Sequence, residues 1–517
     1  MKLVTAEQMR SLDEAAINTH KVPSLELMEN AGRGTVEAML RLYGDPLGKT
    51  VPIFVGPGNN GGDGLVIARL LAAELARPFV FLLVEPDKLQ GDVAVNLARL
   101  QELPVPIIEI SDEQNLSDAL ADLPDCWAVV DALFGTGLTR EISGLFAAAI
   151  NKINGFSCPV VAVDIPSGLN ADSGRPLGTC VRASVTVTFG QAKIGQVIHP
   201  GREFIGHLEV VDIGIPAAAV AAAGLKLELL DGETGNLVPE RALHAHKGTF
   251  GHLLVIAGSL GKTGAAQLCC LGGLRAGTGL VTLCVPYELN QIVQTGLWEA
   301  MTVPLQSAAQ GILSIEDYTV IAEALNNKQA VTVGPGIGTA DETAELVVRL
   351  YREVSIPMLI DADALNILAR DISLLGKAAG PRVLTPHPGE MARLTGLSTR
   401  EIQADRLQVT REFAAEHQVH LVLKGAETVI CRPDGHQAIN PTGNPGMATG
   451  GMGDVLSGVI GGFMAQGLSA WQAARLGVYV HGLAADRLAE EISAGYLASE
   501  VADDLPYAIE SLKKHTD

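Results

Sequence analysis

Val51-Pro-Ile-Phe-Val-Gly56-Pro-Gly58-Asn59-Asn60-Gly61-Gly62-Asp63-Gly64 is an apolar strand running into a loop of glycines and amides. Gly56, Gly58 and Gly61 match the pattern G-x-G-x-x-G, and Glu85 falls at the end of the next strand, as in a hydride-transferring dehydrogenase. In a glycine-rich chain that match alone is often a plain strand–helix turn. The Asn59-Asn60-Gly61-Gly62-Asp63-Gly64 core adds to it. Small and amide residues ahead of a helix leave backbone N–H groups free to face a pyrophosphate, and the helix N-terminus helps them.

The same grammar recurs in both directions from this loop. Apolar runs predict strands at 51–56, 79–84, 128–131, 160–164, 185–189 and 208–213, and again at 253–257, 280–285, 330–333, 358–360, 382–384 and 421–424. Strands that alternate with helices imply parallel sheets covered on both faces, hence an α/β protein of two doubly wound domains. The uncharged joint Pro216-Ala-Ala-Ala-Val-Ala-Ala-Ala-Gly224 separates them, giving domains 1–220 and 226–517. A length of 517 residues suits two to four domains at ~100–200 residues each. Thr5 and Gln8 form a capping-box pattern that opens a helix through about Ile17.

Hydrophobic residues make up 47% and charged ones 18%, which excludes disorder. The net charge of −21 and the lack of any Lys/Arg cluster exclude a nucleic-acid partner. Seven cysteines with no C-x-x-C pair read as small buried hydrophobes in a reducing compartment. Glu7 interrupts any apolar signal core, and the uncharged run 455–474 is broken by serines, glutamines and glycines, so it reads as a buried helix pair. The expectation is a cytoplasmic protein with no membrane partner. The uncharged joint and apolar surface allow a homo-oligomer.

In the first half, Asp131 precedes Phe134-Gly-Thr-Gly-Leu138, and Asp164 opens Asp164-Ile-Pro-Ser167-Gly. The carboxyl ends of parallel strands gather at one crevice, so Asn60, Asp131, Asp164 and Ser167 can converge there as oxygen ligands for a hard cation. Each Asp taken singly could instead cap the following helix. Together with Thr188-Phe-Gly-Gln-Ala-Lys-Ile-Gly195, these segments resemble the NAD(P)H-hydrate epimerase family over roughly residues 1–215. The resemblance implies a Rossmann-like domain that interconverts the R and S forms of hydrated NADH or NADPH. It implies substrate contacts from Asn59, Asn60, Gly61, Gly62 and Asp63, from Gly135-Thr136-Gly137-Leu138-Thr139-Arg140-Glu141, and from Asp164. Potassium would be held by Asn60, Asp131 and Ser167. Asp164 is the candidate acid/base, with Lys193 as a second candidate or a structural lysine.

In the second half, Ala257-Gly258-Ser-Leu-Gly-Lys262-Thr263 fails as a P-loop, because the first required glycine would fall on Ile256. The decisive motif is Asn444-Pro-Gly-Met-Ala-Thr-Gly450-Gly451-Met-Gly453-Asp454. Five glycines in the eleven positions before Asp454, running into an apolar helix, present free N–H donors to a phosphate. Asp454 then sits where it can take a proton from a hydroxyl attacking phosphorus. Gly334-Pro-Gly336-Ile-Gly338, Thr385-Pro-His387-Pro-Gly-Glu390 and Lys424-Gly425-Ala426-Glu427-Thr428 lie at further strand ends. Asp361 and Asp363 either assist or cap the next helix.

These segments resemble the ADP/ATP-dependent NAD(P)H-hydrate dehydratase family, which is ribokinase-like, over roughly 226–510. The whole chain is similar to bacterial bifunctional NAD(P)H-hydrate repair enzymes. Lys424, Gly425, Ala426, Glu427, Thr428 and Gly453 would bind the nucleotide, and Ala265, Gly338, His387 and Asp454 the hydrate. Lys262-Thr263 departs from the aromatic or serine residue usual in that family. The implied reaction uses ADP to phosphorylate the ring hydroxyl of the S hydrate, then releases phosphate to leave NAD(P)H and AMP. Mg2+ is the chemical expectation for bound polyphosphate. The rivals are an ATP-dependent ribokinase-like kinase of a small vitamin alcohol, a non-catalytic nucleotide-binding protein, and a dehydrogenase.

Overall fold

The computed structural model describes residues 1–121, 123–306 and 311–513; the end of the second predicted domain, 514–517, lies outside them. The chain divides into two compact units, Met1–Leu225 and Lys226–Asp517.

The first unit is built on a seven-stranded sheet, all parallel, in the order Ile107–Glu109, Arg77–Leu82, Thr50–Val55, Val129–Ala132, Val160–Val163, Val185–Phe189, His207–Val211. Alternate side chains of one strand feed two cores: Ile53 and Val55 join the cluster around Leu65 and Val66, while Phe54 joins Phe81 and Val129 on the other face. Both faces are therefore dry, which is why these strands read as unbroken apolar runs. The order reverses between Thr50–Val55 and Val129–Ala132, and that switch point opens a crevice at the strands' carboxyl ends. Only glycine fits at the first step out of it, since a Cβ on Gly56 would lie 1.9 Å from the Leu133 carbonyl oxygen.

The second unit carries a ten-stranded sheet in the order Leu227–Leu229, Gln437–Ile439, Val429–Cys431, His420–Leu423, Arg382–Leu384, Met358–Ile360, Ala330–Val333, His252–Ile256, Leu280–Pro286, Met301–Leu305. Leu253 and Val255 face one core, Leu254 and Ile256 the other. The expectation of a wholly parallel sheet fails here. Val429–Cys431 runs antiparallel to both neighbours. The connections on either side of it are too short for a crossover, which needs a dozen or more residues. Arg432-Pro-Asp-Gly435 closes one of them as a turn, with Gly435 N–H donating to the Arg432 carbonyl at 3.0 Å.

Other differences are local. The opening capping box is present, Thr5 Oγ1 accepting from Gln8 N–H at 3.1 Å, but the α-helix ends at Glu14 and Ala15–Thr19 widens into a π turn. The run 455–474 forms parts of two helices, Met452–Ala465 and Ala470–Ala489. Among the described residues no helix is long and apolar enough to cross a membrane. Five of the seven free cysteines are buried; Cys126 and Cys158 are half-buried, unlike the expectation for all.

Two candidate active sites

In the first unit, the strand ends and the helix Asn59–Ala73 surround a cavity of about 560 Å³. Its lining brings together Asn59, Asn60, Asp63, the segment 135–140 and Asp164 from the predicted substrate residues. Gly61 and Gly62 are buried in the first turn of that helix, and Glu141 is exposed outside the lining. Glu85 is exposed and paired with Lys88 at 2.8 Å, so the acidic residue of the dinucleotide pattern does not serve this cavity.

Asp164 adopts φ +63°, a rare conformation for a non-glycine residue and one that recurs at functional sites. Its carboxylate Oδ1 accepts from Lys193 Nζ at 2.5 Å and from Thr188 Oγ1 at 3.1 Å. Lys193 is fully buried and also donates to Thr188 Oγ1 and the Phe189 carbonyl. Two more carboxyls approach this ion pair. Burial pushes Asp63 well above the usual carboxylate range, with Asp164 and Asp13 adding to the rise against Lys193. Burial likewise pushes Asp13 up to about 6, against the pull of Lys193.

Asp131 and Ser167 are clamped together, Ser167 Oγ donating to Oδ1 at 2.6 Å and its N–H to Oδ2 at 2.8 Å. Burial pushes Asp131 up to about 6, and the Ser167 bonds oppose that. Beside Gly135, the amide of Asn60 is buried with neither its oxygen nor its nitrogen hydrogen-bonded. Asp131 and Ser167 are fully buried and lie outside the cavity lining, so of the three predicted cation ligands only Asn60 lines the cavity, and its orphaned amide oxygen suits a hard cation.

In the second unit, the loop before Asp454 is pinned at its start: Asn444 donates to Asp486 at 2.9 Å and accepts from the Tyr496 hydroxyl at 2.6 Å. Gly451, at φ +92°, turns the chain into the helix Met452–Ala465. Asp454 lies in that helix's first turn, and burial pushes its carboxyl up to about 6, with Asp361 adding to the rise and Lys424 opposing it. Lys424 Nζ is bound to Asp361 at 2.7 Å and stands 3.9 Å from Glu390. Burial works against the Lys424 charge, but Asp361 and Glu390 outweigh it and hold the amine above its ordinary value. Asp361 also accepts from Ser457 at 2.7 Å, so its carboxyl braces the site and does not cap the next helix. Gly453 packs so close that a Cβ there would lie 3.4 Å from Lys424 Nζ.

The remaining predicted residues ring this centre. Asp363 accepts from Gly338 N–H and from Lys262, both at 2.9 Å, which ties the loop 334–338 to the loop before Ala265. His387 caps its helix, Nδ1 accepting from Gly389 N–H at 3.0 Å. Residues 424–428 form the turn of the hairpin between His420–Leu423 and Val429–Cys431, with Thr428 Oγ1 donating to the Gly425 carbonyl. Arg406, which sequence reasoning missed, underpins that turn by donating to the Leu423 carbonyl at 2.8 Å. Among the described residues, no three His, Cys, Asp or Glu side chains are grouped to hold a metal ion.

Two sites at the ends of parallel strands, each beside a glycine-rich helix N-terminus and clustered carboxyls, define a two-domain α/β enzyme that acts on nucleotides. Residues 253–507 match the NAD(P)H-hydrate dehydratase family model, and residues 24–195 match that of the YjeF-related protein N-terminus. A bifunctional NAD(P)H-hydrate repair enzyme of Moorella thermoacetica is 44% identical over 100% of this chain and 98% of its own. Its counterpart in Thermofilum pendens is 40% identical over 99% and 97%. The ADP/ATP-dependent NAD(P)H-hydrate dehydratase of Bacillus subtilis, co-crystallised with ATP/Mg2+, is 31% identical over 55% of this chain and 98% of its own, with a TM-score of 0.48. The chain belongs to the family of bifunctional NAD(P)H-hydrate repair enzymes.

Proposed function

We propose that the first unit interconverts the R and S forms of hydrated NADH and NADPH, and that the second dehydrates the S form with ADP, releasing AMP and phosphate. The observation that carries the second activity is Asp454. It is a half-buried carboxyl in the first turn of a helix led by glycines, beside a lysine bound to two other acids. Hydroxide is a poor leaving group, so the ring hydroxyl must first be converted to a better one. Asp454 would take its proton as the oxygen attacks the terminal phosphate of ADP. The amides of Gly450 to Gly453 and the Lys424 ammonium would stabilise the charge on the transferred group. Phosphate then leaves as the ring nitrogen donates its electron pair, and loss of a proton from the neighbouring ring carbon returns that pair to nitrogen and forms the ring C=C bond of NAD(P)H. Lys424 to Thr428 and Gly453 would contact the nucleotide; Ala265, Gly338 and His387 would contact the hydrate. Mg2+ would arrive on the polyphosphate; among the described residues no three His, Cys, Asp or Glu side chains are grouped for it.

In the first unit, Asn59 to Asp63, Gly135 to Glu141 and Asp164 would hold the hydrate. Asn60, Asp131 and Ser167 would hold potassium, which would supply positive charge against the buried Asp131. Asp164 would act as acid/base.

The test is recovery of dihydronicotinamide absorbance from mixed R and S hydrate, with ADP or ATP supplied separately. Full recovery with ADP, with AMP and phosphate released, supports both activities. Recovery that stops once the S form is consumed overturns the epimerase reading. A stable phosphorylated product with no recovery favours the small-molecule kinase.

A further inference from the structure

The helix Ala6–Glu14 precedes the matched residues 24–195 and has no part in the mechanism above. The fold nonetheless brings it to the first cavity. Leu3 and Val4 pair in parallel with Ala192 and Lys193, which sets the start of the helix beside the buried lysine. Ala6 N–H donates to Asp172 Oδ1 at 2.7 Å, and Met9 and Leu12 are buried in a cluster with Val4. That anchoring turns Met9, Arg10, Asp13 and Ile17 into one wall of the cavity, while Asp164 and Lys193 contribute from the strand ends. The helix widens into its π turn at Ala15, two residues past Asp13, a distortion that often marks functional sites. A ligand is independently indicated in the same cavity by the orphaned, buried amide of Asn60.

The chemistry calls for two acid/base groups. The R and S hydrates differ at one ring carbon, which carries the hydroxyl and is bonded to the ring nitrogen. It can be inverted without oxidation or reduction by breaking its C–O bond on one face and forming another on the opposite face, the route suited to a cavity lined by carboxyls. As the C–O bond breaks, the nitrogen lone pair forms a C=N bond, and a proton must reach the departing oxygen so that it leaves as water. As water adds to the other face, the electron pair returns to nitrogen and the water loses a proton. Asp164, ion-paired to Lys193, is suited to accept that proton and cannot at once donate the first.

We propose that Asp13 is the second catalytic group of the epimerase, giving its proton to the departing hydroxyl while Asp164 takes one from the incoming water. The roles exchange in the reverse direction. The protons balance over a turnover once the two carboxyls re-equilibrate through solvent in the open cavity. This inference rests on the epimerase reading.

The test uses the full chain and separated R and S hydrates of NADH, followed by chromatography that resolves the two. Asp13→Asn is expected to lower the epimerisation kcat about 100-fold in both directions, with KM within about twofold. Dehydration of the S form by the same preparation should be unchanged. Asp13→Glu should recover about tenfold of the loss. Because the two groups act as a unit, Asp13→Asn combined with Asp164→Asn should be no slower than the slower single variant. Unchanged kcat, a raised KM at constant kcat, or a loss that Glu does not recover would each overturn the inference. If Asp13→Asn does not fold, Asp13→Glu decides: kcat lowered at constant KM supports the role, and kcat unaltered overturns it. Failure of the wild-type chain to epimerise overturns the underlying reading as well.

Discussion

The two sites place a buried lysine against carboxylates in opposite ways. Lys193 is sealed, its side chain 1% exposed, and spends its donors on Asp164 and neighbouring oxygens. Lys424 is 18% exposed and stands between two acids at the edge of a glycine-rich helix N-terminus. Inverting a carbon centre creates no lasting charge, so the first site needs proton carriers more than an anion hole. Phosphoryl transfer gathers charge on oxygens, and on the proposed roles the glycine-loop N–H groups and the Lys424 ammonium of the second site would meet it. On the proposed roles, the same strand-end architecture would serve proton transfer alone in one unit and proton transfer with charge stabilisation in the other.

The sharpest way to break that contrast is Asp454→Asn. Dehydration should fall about 10³-fold while epimerisation is untouched, which side-by-side assays of both activities would check. Loss of both activities in a folded variant would end the division of labour. The same variant should stabilise the second unit at pH 7. The folded carboxyl titrates near 6 against an ordinary 3.8, so its ionisation opposes folding above pH 6, and the penalty lifts as pH falls from about 6 toward 3.8. The gain is at most about 3 kcal/mol, readable by denaturant melts. Asp164→Asn mirrors the experiment on the other side, with epimerisation down about 100-fold and dehydration intact.

A pH series separates the sites further. If Asp454 must be ionised to act, dehydration falls about tenfold per pH unit below about 6 and stays level above it. The smallest expected effect is Arg406→Ala, which loosens the 424–428 turn. It should raise the KM for ADP by roughly threefold to tenfold, about the net worth of an ordinary hydrogen bond because the turn acts on the nucleotide indirectly, and leave kcat and epimerisation alone.

The glycine loops were plain in the sequence because backbone exposure ahead of a helix can be obtained in few ways. The pairing of Asp131 with Ser167 was also within reach, since both stand at strand ends of one sheet. The reversed strand Val429–Cys431 was less visible. Three residues show no period, although Pro433-Asp434-Gly435 marked the turn. Asp361 and Asp363 could be read either as assisting the site or as helix caps, because sequence shows only the neighbours along the chain. Lys424 and Ser457, which decide the role of Asp361, lie far from it in order. Asp13 was hidden for the same reason. It sits in an ordinary amphipathic helix, and contacts distant in sequence, such as the pairing of Leu3 with Ala192 and the bond from Ala6 to Asp172, carry it to the cavity.

That pairing has a parallel in the second unit, where Leu227, at the start of the unit's first strand, pairs with Gln437. In both units the strand made first by the ribosome waits for a partner about 190 to 210 residues downstream. At ~5–20 residues per second that is a delay of roughly 10–40 s. During translation each nascent unit therefore carries a loose leading end and an unfinished sheet, open to chaperones and proteases. Each acquires its full resistance to unfolding only when its own first residues are tied in.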